Sequence, residues 1–215
     1  MNSSDMKRAY RSDRRRKQAA ETRARILTAA GSLFVEHGFA GTTVEAVARE
    51  AAVAAPTVYA AFRNKPQLLA EAVRYAVRGD ATGEPLLAQA EPQAVRAETD
   101  QRAQLRRFAV DVTERLERVG PLLEVVGVAA RQEPELAALR ERLQRSRLEN
   151  HRTLIRWVVA NGPLRPGLTT ADAAELSWTL ASPEVHRLLR RDRGWSRRRF
   201  AAWLHESLER LLLPG

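Results

Sequence analysis

The side chains able to do covalent or metal chemistry are few in this sequence, and they are scattered. Four histidines stand at His37, His151, His186 and His205, and there is no cysteine. No HExxH sets two histidines at metal spacing, no carboxylate cluster offers ligands to a cation, and no Gly-rich loop is placed to cradle a phosphate. A GxSxG turn behind a strand is missing too. The absence of cysteine removes disulfides, thiolate nucleophiles and cysteine-ligated zinc together. These features weigh against an enzyme, and neither cofactor nor metal is expected.

What remains is charge, and its placement matters more than its size. The chain carries a net +10, with 12 Lys and Arg against six Asp and Glu in residues 1–65 and 24 against 20 in the other 150. A basic third on a nearly balanced body points to a polyanion met at one end, or to a solvated tail; charge alone leaves both open. Arg14, Arg15, Arg16 and Lys17 are the densest part of it. No apolar stretch is long enough to span a bilayer or to follow the basic N-terminus as a secretory signal, so a cytoplasmic chain that does not meet membranes is expected.

The elements that must position these groups read as helices throughout. Hydrophobic residues make up 44% and charged residues 29%, with Ala, Leu, Arg and Glu dominant, and period-two alternation is rare. Residues 1–16 have no apolar period and read as a flexible basic arm. Ile26, Leu27, Ala30, Leu33 and Phe34 recur at helical spacing between Gln18 and His37, and Gly38 offers a left-handed C-cap. Thr43 is an N-cap for a helix through Ala51. After a turn at Ala52 and Val53 a short helix fits residues 55–62, and Asn64 caps another from Lys65 and Pro66 to about Arg78. Residues 80–94, with two prolines and a glycine, read as a loose connection.

Longer helices follow. One bears Leu105, Phe108, Ala109, Val112, Leu116 and Val119 and should end at Gly120-Pro121, and residues 121–131, apolar nearly all round, should form a separate buried helix. Another runs from Pro134 to about Ala160 with Leu136, Leu139, Leu143, Leu154 and Val158 inward. Thr170, Ser182 and Ser196 are caps for the last three.

Two short helices joined by a tight turn, about residues 43–62, can form a helix-turn-helix, whose second helix enters the major groove. Val44, Val47, Ala48, Val53, Val58 and Phe62 would pack the pair together. Any αα-hairpin of an all-helical protein would share this spacing.

The residues themselves go further. ARILTAAGSLFVEHGFAGTTVEAVAREAAVAAPTVYAAFRNKPQLL, residues 24–69, resembles the N-terminal domain of the TetR family of transcriptional regulators: Ala-Ala and Leu-Phe in the first helix, then Gly-Phe, Thr-Thr, and Val, Thr, Tyr, Phe, Lys and Leu-Leu at fixed offsets. SPEVHRLLRRDRGWS (182–196) is similar to C-terminal domains found there. The resemblance implies an all-α fold, with a three-helix helix-turn-helix DNA-binding domain over residues 17–66 and a helical effector-binding and dimerisation domain over 67–215. It implies a regulator, a repressor on this reading, that binds a palindromic double-stranded operator as a homodimer and answers to a small-molecule effector. The alternative is a non-specific or architectural DNA-binding protein without an effector.

Residue by residue, the resemblance places Thr42 and Thr43 at the phosphate backbone, with Tyr59 and Lys65 donating to phosphates, a role suited to hydroxyl and ammonium groups near helix starts. Two positions depart from the family: Ala52 stands where Gly is usual in the turn, and Ala54 where Ser often caps the recognition helix. The first costs about 1 kcal/mol if that residue is left-handed, and the loss of the cap costs about 1 kcal/mol. The solvent-facing positions of that helix are Ala54, Ala55, Pro56, Thr57, Ala60 and Ala61, so direct readout has one hydroxyl and several methyl groups that suit thymine methyls. Affinity must then come from phosphate contacts, DNA shape and the arm, where Arg14, Arg15, Arg16 and Lys17 can reach phosphates or a minor groove.

In the second domain the resemblance implies an effector pocket. The inward stripe of the long helix passes through Arg147, Asn150 and His151, with Phe108, Trp157 and Trp178 as aromatic walls. Arg147 and His151 could equally pair with buried carbonyls or acids. The last helix offers Phe200, Trp203, Leu204, Leu208 and Leu211 as a dimer face, or as a stripe docked on its own core. The arginines between Arg187 and Arg199 read as a solvated face paired with acids.

Overall fold

A computed structural model describes residues 3–79 and 84–215 and, in the first helix, the side chains of Arg14 and of residues 16 onward. Among the described residues there is no strand. The chain divides into two compact units, residues 1–83 and 84–215. That division falls later than the boundary read from the sequence at 66/67, because the fourth helix packs on the first.

The first unit holds α1 (Ser3–Gly41), α2 (Val44–Glu50), α3 (Ala55–Ala61) and α4 (Lys65–Arg78). The segment read as a flexible arm is helical from Ser3, a correction that follows from its content of Arg, Lys and Met, all good helix formers. Gly38, at φ 70° and ψ 177°, kinks α1 and is positive in φ as expected. Ile26, Ala30, Phe34, Val47, Val58, Phe62, Leu68, Leu69 and Val73 fill the core at 0–2% exposure. Each of the larger side chains among them contributes about 1.5–3 kcal/mol by leaving water. The Asn64 side chain accepts from the Gln67 N–H at 2.8 Å to start α4, and Gly79, at φ 81°, ends it.

The second unit contains α5 (Ala90–Ala97), α6 (Gln101–Ala129), α7 (Pro134–Ala160), α8 (Thr170–Leu180), α9 (Pro183–Arg187) and α10 (Arg197–Leu212). A 3-10 turn at Leu86–Ala88 precedes α5, and a π-helical segment at Leu188–Asp192 follows α9. Two expectations are overturned here. Part of the connection expected over 80–94 is helix, because Pro92 lies in the first turn of α5, where its missing N–H would have no helical partner. Residues 80–83 of that connection lie outside the described residues.

The break expected at Gly120-Pro121 is absent, and α6 runs through it. Gly120 has no Cβ to clash with the proline ring, and buried Leu116, Val119, Leu122 and Val126 hold both halves to one core. Nor is the 121–129 stretch buried all round, since Val128 is 71% exposed. The helix from Pro134 to Ala160 has the expected limits, and Leu136, Leu139, Leu154 and Val158 are buried while Leu143 is half-buried. The α8 cap is Thr169, one residue before the expected one. Gln101 closes the end of α7 by donating to the Val158 and Gly162 carbonyls at 3.0 and 2.8 Å. A Cβ on residue 162 would lie 2.7 Å from the Gln101 carboxamide oxygen, so any other residue there makes that side chain shift.

Candidate nucleic-acid interface

The turn between α2 and α3 fixes how α3 is presented. Thr43 caps α2 by accepting from the Ala46 N–H at 3.1 Å, and Val47 and Ala48 bury the inner face of the helix. The Val53 N–H then donates to the Ala48 carbonyl at 2.9 Å, which turns the chain through Ala52. Ala52 has φ 51° and is the one non-glycine residue at positive φ among those described. α3 begins at Ala54 with no side-chain cap and with Pro56 in its first turn.

Val58 and Phe62 point into the core at 1% and 2% exposure. Ala54, Pro56, Thr57, Tyr59, Ala60 and Ala61 are therefore turned outward, with Ala55 half-buried. The outward face carries one short hydroxyl, at Thr57, and one long one, at Tyr59. Arg23, a residue the sequence reading did not single out, secures the far end of α3. Its guanidinium lies 4.5 Å from the Phe62 ring centre, donates to the Ala61 carbonyl at 3.4 Å and pairs with Glu71 at 2.9 Å. These partners stand 38 to 48 residues away, beyond any helical period.

The four positions expected to meet phosphates are not alike. Thr43 is exposed at the start of α2. Thr42 is 1% exposed, with its hydroxyl 2.8 Å from the Gly38 carbonyl and 3.0 Å from that of Leu33. Its one proton serves the end of α1. Lys65 is half-buried, donating to the carbonyls of Phe39 at 2.9 Å and Thr42 at 3.2 Å while lying over the Phe39 ring. The carbonyls released at the Gly38 kink are satisfied in this way, and one N–H of Lys65 is left over.

Tyr59 is 48% exposed, and its hydroxyl donates to the Glu45 carboxylate at 3.1 Å. That hydrogen bond, with smaller contributions from desolvation and from the charge of Glu45, holds the phenol above its usual pKa. Glu45 was also missed, because no spacing rule links residues on two sides of a turn. Arg14, Arg16 and Lys17 are exposed on α1; the side chain of Arg15 lies outside the described residues. Consecutive helical residues fan out by about 100°, so this run does not make one basic edge.

In the second unit Phe108, Arg147, His151 and Trp178 come together, but packed on one another. Arg147 lies 4.2 Å from the Trp178 ring centre and donates to the Trp178 carbonyl at 2.7 Å, capping the end of α8. Burial lowers its pKa to about 10, an effect that Glu184 opposes, so it stays charged at neutral pH. His151 Nδ1 is 2.8 Å from the Ser177 hydroxyl, and its ring stands edge-on to Phe108 with centroids 5.6 Å apart. Burial, then the charges of Arg147 and Arg115, push its pKa down to about 3, so it is neutral at pH 7. The indole N–H of Trp178 is buried without a partner among the described residues.

Trp157 and Asn150 are half-buried on the same helix, Trp157 against the core. None of these six residues lines the cleft of about 410 Å³ between α5 and α6, which is walled by Glu91, Glu98, Arg107 and Asp111 among others.

The α10 residues expected at a dimer face divide into two sets. Phe200, Leu204 and Leu208 are fully buried against the unit's own core, and Trp203 and Leu211 are half-buried. The buried part of the α10 stripe docks on α6. Three of the neighbouring arginines pair with acids: Arg190 donates to Glu117, as His186 does, Arg191 meets Glu124 at 3.1 Å, and Arg187 meets Asp192 at 2.7 Å.

The family model of the bacterial regulatory proteins, tetR family, matches residues 26–72. Among solved structures the chain is similar to NalD, the secondary repressor of the MexAB-OprM multidrug efflux pump in Pseudomonas aeruginosa, at 25% identity and TM-score 0.67, covering 93% of this chain and 99% of that one. It is similar in fold to the TetR family transcriptional regulator PfmR from Thermus thermophilus, at 23% identity and TM-score 0.62, covering 88% and 99%. The same holds for a Saccharomonospora viridis protein solved in complex with choline, at 19% identity and TM-score 0.68, covering 91% and 99%. Among the curated proteins none matches this chain in sequence. Among the described residues no helix is long and apolar enough to cross a membrane.

Proposed function

We propose that residues 26–72, which match the family model of the bacterial regulatory proteins, tetR family, are a DNA-binding domain, and that the protein is a transcriptional repressor that binds a palindromic operator as a homodimer. The observation that carries the reading is the outward face of α3: Val58 and Phe62 anchor it inward, and small side chains around Thr57 and Tyr59 leave it free to lie deep in a major groove. Thr43, the remaining N–H of Lys65 and the Tyr59 hydroxyl supply phosphate contacts.

The second unit takes a small-molecule effector at the packed cluster of Phe108, Arg147, His151 and Trp178. Support for this comes from the partnerless indole N–H of Trp178 and from the shifted Arg147 and His151 beside it. An effector there must displace the stacking of Arg147 on Trp178, which joins α7 to the end of α8. NalD is itself a repressor, and the Saccharomonospora viridis protein of the same fold holds choline.

One observation favours a second reading, an architectural DNA-binding protein: the α3 face has a single short polar side chain for base edges. Competition separates the two. A labelled duplex from the DNA beside this protein's gene is bound in the presence of excess random-sequence DNA if the protein is a regulator, and is released if it is architectural.

A further inference from the structure

Two residues on the DNA-facing surface, Glu45 and Tyr59, are joined to each other before any DNA is present. Glu45 is exposed in the first turn of α2, and Tyr59 is 48% exposed in the middle of α3. Their side chains meet across the outside of the turn, with the phenol oxygen 3.1 Å from the carboxylate. A phenol has one proton to donate and a carboxylate only accepts, so this bond uses the whole donor capacity of Tyr59 and offers nothing to an incoming anion.

We propose that Glu45 sets the affinity of this surface for DNA, holding the Tyr59 hydroxyl as an intramolecular acceptor that a backbone phosphate must displace. The proposal rests on the reading of α3 as the recognition helix. Glu45 opposes binding in two ways. It occupies the donor, and it places a negative charge within a few ångströms of any phosphate that reaches Tyr59, well inside the screening length of about 8–10 Å at moderate salt. The raised pKa of Tyr59 agrees, since the phenol proton is held more tightly than in a free tyrosine. Glu45 thereby trims phosphate affinity without touching the face that meets bases. On a helix with few base contacts that raises the share of binding that depends on sequence.

The test is a double-mutant cycle on the full chain, using a 30-base-pair random-sequence duplex at low salt and reading dissociation constants by fluorescence anisotropy. Glu45→Gln binds about three- to fivefold more tightly than the natural chain, with the gain shrinking as salt is raised. In the Tyr59→Phe background the part of that gain that comes from releasing the hydroxyl disappears, and the salt-dependent part from the charge remains. Glu45→Ala, which removes the acceptor as well as the charge, gains at least as much as Glu45→Gln. Both sites are exposed, and unchanged helical circular dichroism shows that the variants fold. Equal or weaker binding by Glu45→Gln overturns the proposal, as does an undiminished gain in the Tyr59→Phe background. Absence of duplex binding by every variant and by the natural chain overturns the recognition-helix reading itself, and this proposal with it.

Discussion

The ammonium of Lys65 lies 4.3 Å from the Phe39 ring centre and donates to the carbonyl of that same residue. One side chain from the start of α4 thus ties down the chain where it leaves α1, through a cation–π contact and two backbone hydrogen bonds. Lys65→Ala strips both carbonyls of their partner and should lower stability by about 1–3 kcal/mol, seen as a lower midpoint of thermal or urea unfolding. A residue that only touched phosphate would weaken DNA binding with no change in unfolding.

The turn carries removable strain. Ala52 sits at φ 51°, where a Cβ crowds the backbone. Ala52→Gly should stabilise the protein by about 0.5–1 kcal/mol, with relief of the strain partly offset by the freedom glycine adds to the unfolded chain. Ala54→Ser supplies the cap that α3 lacks and should add about 1 kcal/mol. Urea midpoints of the two single variants and the double check both values.

His151 makes stability depend on acid in a predictable direction. Its pKa falls from the usual 6.5 to about 3 in the folded chain, so the unfolded chain binds the proton first as pH drops. Stability from this residue is complete above pH 6.5 and declines as pH falls from 6.5 towards 3. At pH 5 the loss is about 2 kcal/mol relative to pH 7. His151→Leu should abolish that part of the acid sensitivity, at the cost of the Ser177 contact. Urea unfolding of both proteins at pH 7 and pH 5 decides it, and equal acid losses in the two would contradict the assignment.

Thr57 and Tyr59 should separate base reading from backbone binding. Thr57→Ala removes the one short hydroxyl on the outward face and should flatten preference among half-site variants while overall affinity changes little. Tyr59→Phe should weaken all sequences by a similar factor and reduce the sensitivity to Glu45. Selection from a randomised duplex pool measures the first effect, and titration across several sequences the second.

The first unit was largely legible because its signals are local. Thr43 and Asn64 as caps, Gly38 at positive φ and the apolar spacing of α1 to α4 each act within a few residues. What could not be read was where a donor spends its proton. Thr42 and Lys65 are polar, near helix ends and suited to phosphate, yet both donate to carbonyls around the end of α1, with one N–H of Lys65 left over. The stripe on α10 shows the same limit at larger scale: periodicity says that Phe200, Leu204 and Leu208 are buried, and only tertiary packing says against what. Pro121 misled because a Gly-Pro pair ends most helices, whereas here flanking leucines and valines hold the helix through it. Arg23 and Glu45 left no mark in the sequence, since their partners lie on other helices.

The most direct test of the central claim is a nuclease footprint of the purified protein on the DNA flanking its own gene. Protection of one short palindrome, with two half-sites about one helical turn apart and loss of protection in Tyr59→Phe at matched concentration, is the predicted result. Diffuse coverage that spreads along the fragment with added protein, or no protection at low salt, would contradict it.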